Sequence, residues 1–336
     1  MARRTFNRPV AIIGAAEFRT PEEPARNEVE MLMPVIHAAL ADAGIQDRKK
    51  EIGFTVSGSS DYLQGFTFAF VGALDAVGAW PPIMESHVEM DGAFAFAEAV
   101  EVLQHGPELG GADTALVYAF SRPSRSGSAD RTLALQLDPY LVAPLWPGQN
   151  DLAGLQAQAM RDSGRFAEVP AVEPTHVEDG AVALVLATGE KAERATKKAW
   201  VTGIDHRIEA PALGVRDLTT STASKLAAEG AGALDSTVDA AWLHVLYSYQ
   251  ELLLREAFGL NGQPVDSDAG PIMVGGLQRI AEAFKAVSSV THQRVLAHAQ
   301  SGACLQQSFV TVLEGTSPTD VGRSSATSGG GNGASA

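Results

Sequence analysis

A chain of 336 residues, 45% hydrophobic and 19% charged, is long enough to bury a sizeable core, as one large domain or two closely packed halves. A formal net charge of −15, with no basic block, argues against nucleic acid or an anionic membrane surface as a partner. Cys304 is the only cysteine, so neither an intrachain disulfide nor a cysteine-based metal site is possible; with no signal-peptide pattern at the start, this suits a reducing cytoplasm.

Taken in chain order, PVAIIGAAE (9–17) is a short apolar run that predicts a buried strand. NEVEMLMPVIHAALADAGI (27–45) has helical apolar spacing and stops at Gly44. EIGFTVSGS (51–59) is strand-like. Residues 88–106 predict a helix that stops at Gly106 and is apolar on nearly every side, as a deeply buried helix would be. ADTALVYAF (112–120) predicts another buried strand. Residues 121–173, with RPSRSGS and PLWPGQND, show weak regular signals and read as a loop-and-helix insertion over a site. DGAVALVLAT (179–188) and AWVTGIDHRI (199–208) resume the strand pattern.

A second series follows. STASKLAAEGAG (221–232) reads as helix, VDAAWLHVLYS (238–248) as strand, YQELLLREAFGL (249–260) and GPIMVGGLQRIAEAFKAV (270–287) as helices, and QRVLAHAQSG (293–302) and QSFVTVLEG (307–315) as strands. The alternation predicts an α/β fold with largely parallel central strands. The two series look like two similar halves: an N-terminal one over 1–188, with the insertion, and a C-terminal one over 189–316. The Gly/Ser-rich stretch 317–336 is expected to be a disordered tail.

The glycine clusters GAAEFR, GSSD and VGGL match neither dinucleotide-binding nor P-loop spacing. No nucleophile elbow and no HExxH is present. His87, Glu89 and Asp91 at the mouth of the 88–106 helix invite a metal reading, but acids at a helix start more often serve as caps. No metal site is expected. In WLHVLYSYQE, His244, Tyr247 and Tyr249 follow a strand, where polar tips line ligand crevices in α/β folds; the competing reading is two aromatics packed under the next helix. In AHAQSGACLQQ, His298, Gln300, Ser301, Gly302 and Cys304 stand at a strand's end and the turn after it. A lone buried cysteine is usually inert.

In this order, VAIIGAAEFR, VEMDGAFAFAEAVEVLQHG, HVEDGAVALVLAT, VDAAWLHVLYSYQE and AHAQSGACLQQSFVTVLEG resemble the thiolase superfamily over roughly residues 8–315. ESHVEMDGAFAFAEA, LALQLDPYLVAPLWP, GIDHRIE, VRDLTTSTASKLAAE and SGACLQQ are similar to its lipid-transfer-protein (sterol-carrier thiolase-like) branch. The resemblance implies two similar halves in an α-β-α-β-α layering, a coenzyme A thioester as substrate with no other cofactor, and a homodimer or a heterodimer with a thiolase-like paralogue. Members of that branch are implicated in sterol side-chain catabolism. Some are acyl-CoA retro-aldolases that work with a zinc-ribbon/OB-fold partner.

The departures carry as much information. The nucleophile position of the family falls at about Gly92, its GHP-type histidine position near Gly270, and Cys304 sits beyond the place of the second cysteine. Acyl transfer through a covalent acyl-enzyme therefore loses its nucleophile, and acyltransferase activity becomes the weakest reading. Retro-aldol cleavage of a β-hydroxyacyl-CoA needs no covalent intermediate, and Gly92 is expected to leave room for a bulky β-carbon. The resemblance then places Tyr247, His244, His298 and Ser301 as catalytic candidates. Glu89, Asp91, Gly92, Tyr249, Gly302 and Cys304 are expected to contact substrate. The alternative is a non-catalytic subunit that pairs with an active paralogue, which the abridged segments around 164–175 and VDSDAGPIM favour.

Overall fold

The computed structural model describes residues 6–20, 27–64, 67–126, 134, 137–173 and 178–317; the expected tail beyond Ser317 lies outside the described residues. Strands β1 (Val10–Thr20), β2 (Phe54–Gly58), β3 (Glu85–Val88), β4 (Thr114–Ser121) and β5 (Asp179–Thr188) come from the first series. Strands β6 (Ala199–Ile208), β7 (Ala240–His244), β8 (Val265–Asp268), β9 (Arg294–Ser301) and β10 (Gln307–Glu314) come from the second. They lie side by side in the order β3-β2-β4-β5-β1-β6-β10-β9-β7-β8. Each half repeats one topology, third-second-fourth-fifth-first, and the halves are joined by the β1–β6 pairing.

Helices α1 (Glu28–Asp42) and α2 (Ala69–Val77) cover the outer face of the first half, where Met31, Leu32 and Ile36 pack on Ala11, Ile13 and Val185. Helix α3 (Gly92–His105) packs on the inner face. Helix α4 (Gln149–Ser163) lies in the insertion. Helices α5 (Thr222–Gly230) and α6 (Gln250–Ala257) cover the outer face of the second half, and α7 (Gly275–Ser288) packs on its inner face. One core cluster joins Phe94 and Phe96 of α3, Leu277 and Phe284 of α7, Val56 and Val117 of the first half, and Ala297 and Phe309 of the second. The two central helices are thus sandwiched between two sheet halves, which have helices outside them, giving the five layers α-β-α-β-α.

Local chemistry accounts for these elements. α1 starts on a capping box, with the Glu30 N–H donating to Asn27 Oδ1 (2.8 Å) and the Asn27 N–H to Glu30 Oε2 (3.3 Å). It ends before Gly44, whose φ of +70° suits a residue without Cβ. β5 is buried along its whole length because helices cover both faces. Direction is where the expectation of largely parallel strands fails. β2 pairs in parallel with β3 and β4, and β7 with β8 and β9, but β5 and β10 run antiparallel to both neighbours. A strand buried on both faces is apolar throughout in either direction, so hydropathy alone does not report its sense.

Candidate functional site

Four element ends converge at the centre of the second half: the starts of α3 and α7 and the ends of β7 and β9. Asp91 is the N-cap of α3, its Oδ1 accepting from the Ala93 N–H (2.9 Å). The same carboxylate reaches α7, accepting from the Gly276 N–H at Oδ2 (3.0 Å) and from the Leu277 N–H at Oδ1 (3.2 Å). One buried anion therefore serves two helix N-termini, whose positive dipole ends both favour it. The start of α3 is tied again by the Gly92 N–H, which donates to the Met273 carbonyl (3.0 Å).

His244 ends β7 and is buried. The Gln300 N–H donates to its Nδ1 (3.4 Å), which assigns the ring proton to Nε2. Nε2 makes no aligned hydrogen bond, although the Ala269 carbonyl lies beside it. Burial holds the ring below the ordinary histidine range, against the pull of Asp91, so it is neutral at pH 7. Gln300 in turn donates to the His244 carbonyl (3.3 Å) and to Gln250 Oε1 (2.8 Å). The start of α7 must be bare to admit both groups. A Cβ on Gly275 would lie 2.8 Å from His244 Nε2, and one on Gly276 would lie 2.4 Å from Asp91 Oδ1.

The turn after β9 completes the wall. Gly302, Cys304 and Leu305 all have φ between +55° and +73°, a costly run for the two residues with side chains. Arg216 holds it by donating to the carbonyls of Ala303 (3.0 Å) and Cys304 (3.2 Å), and Gln156 donates to the latter as well (3.4 Å). The Cys304 thiol donates to the Leu152 carbonyl (3.3 Å), and burial pushes its pKa up to about 11.

These elements line a pocket that opens to solvent. Asp91, His244, Gln300 and Ser301 give it a polar end. Ala134, Leu137, Leu152, Leu246, Ile272 and Met273 supply apolar walls, with Pro147, Gln149, Gly302, Ala303 and Gln306 completing the lining. Among the described residues no group of His, Cys, Asp and Glu is placed to hold a metal ion, and no helix is long and apolar enough to cross a membrane.

No protein-family model and no curated protein matches the chain. Solved structures do. The human mitochondrial 3-ketoacyl-CoA thiolase in complex with CoA superposes with a TM-score of 0.67 at 12% identity, covering 94% of this chain and 100% of the other. The Ltp2-ChsH2(DUF35) aldolase gives 0.68 at 17% identity, covering 91% and 98%. A monomeric SCP2-thiolase-like protein type 1 from Mycobacterium smegmatis gives 0.61 at 19% identity, covering 91% and 77%. The chain has the thiolase fold.

Within that fold, the sequence-derived candidates separate into two groups. Asp91, His244, Ser301 and Gly302 line the pocket. Tyr247, Tyr249, His298, Glu89, Gly92 and Cys304 do not. Tyr247 and Tyr249 stack on each other (centroids 6.0 Å apart) within the outer core, and their hydroxyls donate to Asn150 Oδ1 (2.8 Å) and Gln156 Oε1 (3.1 Å) of α4. The chain leaves β7 at His244, short of both tyrosines, so packing under α6 claims them. His298 is fully buried against Phe258, on the sheet face away from α3 and α7, with neither ring nitrogen hydrogen-bonded. Glu89 accepts from the Asp61 N–H (3.0 Å) and pairs with His87 (3.3 Å), which belongs to β3 and not to a helix mouth. Cys304 is turned toward α4.

The expected space at Gly92 is absent. A Cβ there would meet Ala119 Cβ at 2.6 Å and Leu277 Cδ2 at 2.8 Å, and Gly58 packs on its backbone. Gly92 is a close-packing glycine between α3, α7 and the sheet. Sequence reading singled out Gln300 but missed Ile272 and Met273 on the wall and the part played by Gly275 and Gly276. The VGGL signal was visible, but only as a phosphate loop that it does not fit.

Proposed function

We propose that the chain is a carbon–carbon lyase that cleaves a β-hydroxyacyl-CoA, one with a bulky apolar group such as a sterol side chain, into a ketone or aldehyde and a short acyl-CoA. No covalent acyl-enzyme forms. The observation that carries this reading is the polar lining of the pocket: the Asp91 carboxylate and the neutral His244 imidazole both line it, and no thiol lies on the wall. A β-hydroxyl is a donor and a thioester carbonyl an acceptor, so the two ends of the substrate's reacting unit match the two groups. The apolar walls suit a lipophilic acyl chain. The likeness to an aldolase named as a complex of two proteins supports a zinc-ribbon/OB-fold partner for this chain too.

The second reading is a non-catalytic subunit paired with a thiolase-like paralogue. It is favoured by the three backbone donors that already occupy Asp91. The test is to purify the chain alone and with its zinc-ribbon partner and to supply a β-hydroxyacyl-CoA with a sterol side chain. Release of the carbonyl product together with a short acyl-CoA is expected. Turnover that appears only when a second thiolase-like chain is added would transfer the activity to that chain.

A further inference from the structure

The lyase reading leaves open which group takes the hydroxyl proton, and the geometry points to Asp91 as a carrier that moves one proton from the β-oxygen to Cα. This rests on the proposed reaction. A carboxylate has about four acceptor directions. Three of those on Asp91 are filled by the Ala93, Gly276 and Leu277 N–H groups, and the residue still lines the pocket. Those bonds come from two helices and hold the group without a rotatable partner.

His244 provides the independent observation. Its Nε2 is buried against Gly275, the residue before the Gly276 N–H that holds Asp91, and makes no aligned hydrogen bond, although the Ala269 carbonyl lies beside it. The two side chains thus sit on neighbouring glycines of one helix start. No cation on the pocket wall neutralises Asp91: the described lining residues include neither lysine nor arginine. Arg279, buried beneath, is taken up by Asp266 (3.0 Å) and Glu282 (2.6 Å).

The step balances within the site. The β-O–H bond breaks, and its proton goes to the open lone pair of Asp91. The O–H electron pair becomes the new C=O bond. The Cα–Cβ bond breaks with its electron pair moving to Cα, and the resulting thioester enolate oxygen accepts from His244 Nε2–H. Asp91, now neutral, does not repel the enolate and returns its proton to Cα. No other reactant is consumed.

One carboxylate in one place has a stereochemical consequence: the proton must arrive on the face that Cβ leaves. The test uses the full chain with its partner and a β-hydroxyacyl-CoA carrying an α-methyl group of defined configuration, turned over in D₂O. The short product is expected to be monodeuterated at Cα with retention of configuration. A racemic or inverted product overturns the proposal, and this measurement needs no variant. Asp91→Asn, checked by circular dichroism for the native fold, is expected to lower kcat by about 10² or more with KM changed by less than about threefold. Wild-type-like turnover by Asp91→Asn would remove Asp91 while leaving the lyase reading in place. An inactive wild type would remove both.

Discussion

Asp91→Ala should be among the more damaging single substitutions in the chain, although it deletes only a carboxylate. The side chain caps α3 and receives two N–H groups of α7, all of them buried. Loss of an N-cap costs about 1 kcal/mol. Each further buried N–H left without an acceptor costs about 1–2 kcal/mol. The sum is about 3–5 kcal/mol, toward the lower end where water enters from the pocket. With a urea m-value near 3 kcal/mol/M, that lowers the unfolding midpoint by about 1–1.7 M. Asp91→Ser keeps a short cap for Ala93 but cannot reach α7, so it should recover about 1 kcal/mol of the loss. Urea titrations followed by far-UV circular dichroism measure all three proteins. A loss below about 1 kcal/mol for Asp91→Ala, or equal midpoints for alanine and serine, would refute the picture of one carboxylate tying two helices together.

Two further outcomes follow from buried groups. Burial holds His244 and His298 below the ordinary histidine value of 6.5, so the unfolded chain takes up protons first as pH falls. Stability is thus level above about 6.5 and declines below it, by about 1.4 kcal/mol per unit and per histidine until the folded groups titrate. The difference in unfolding free energy between His298→Leu and wild type is expected to shift in favour of the variant by about 1 kcal/mol over the first pH unit below 6.5; a constant difference would show that His298 is not buried neutral. Gly276→Ala places a Cβ 2.4 Å from both Asp91 Oδ1 and Ala299 Cβ and is expected to cost about 1–3 kcal/mol. Gly154→Ala on α4, with nothing within 4 Å, should instead raise the melting temperature through a helix-propensity gain of about 0.5–1 kcal/mol.

What could be read from the residues follows the physics of each element. PVAIIGAAE, DGAVALVLAT and QSFVTVLEG are apolar because both faces are covered, and each became a strand near the expected bounds. The edge strands β3 (ESHV) and β8 (VDSD) were not legible, because an edge four residues long carries no periodicity and is half exposed. Helix α4 was hidden because its buried face is Leu152, Ala153, Gln156, Ala157 and Met160, mostly small or polar side chains. At the site, His244 and Ser301 were found from strand-end position alone. Tyr247 and Tyr249 share that signal, and only the path of the chain after His244 sends them to α4. The bonds from Asp91 to Gly276 and Leu277 join residues 185 and 186 positions apart, a pairing no local pattern encodes.

The internal repeat explains why a carboxylate stands here. Both halves send a helix inward from a short edge strand, β3 into α3 and β8 into α7, and both helices begin at the same point in the central layer. Two N-termini meeting head-on leave orphan N–H groups of like polarity, which is unfavourable unless an anion fills the gap. The resemblance places the nucleophilic thiol of other members at about Gly92, beside this point. Asp91 meets the need for an anion with two oxygens, both engaged, and a carboxylate so held exchanges protons far more readily than it forms an acyl bond. His244, buried and neutral, ends β7 beside it.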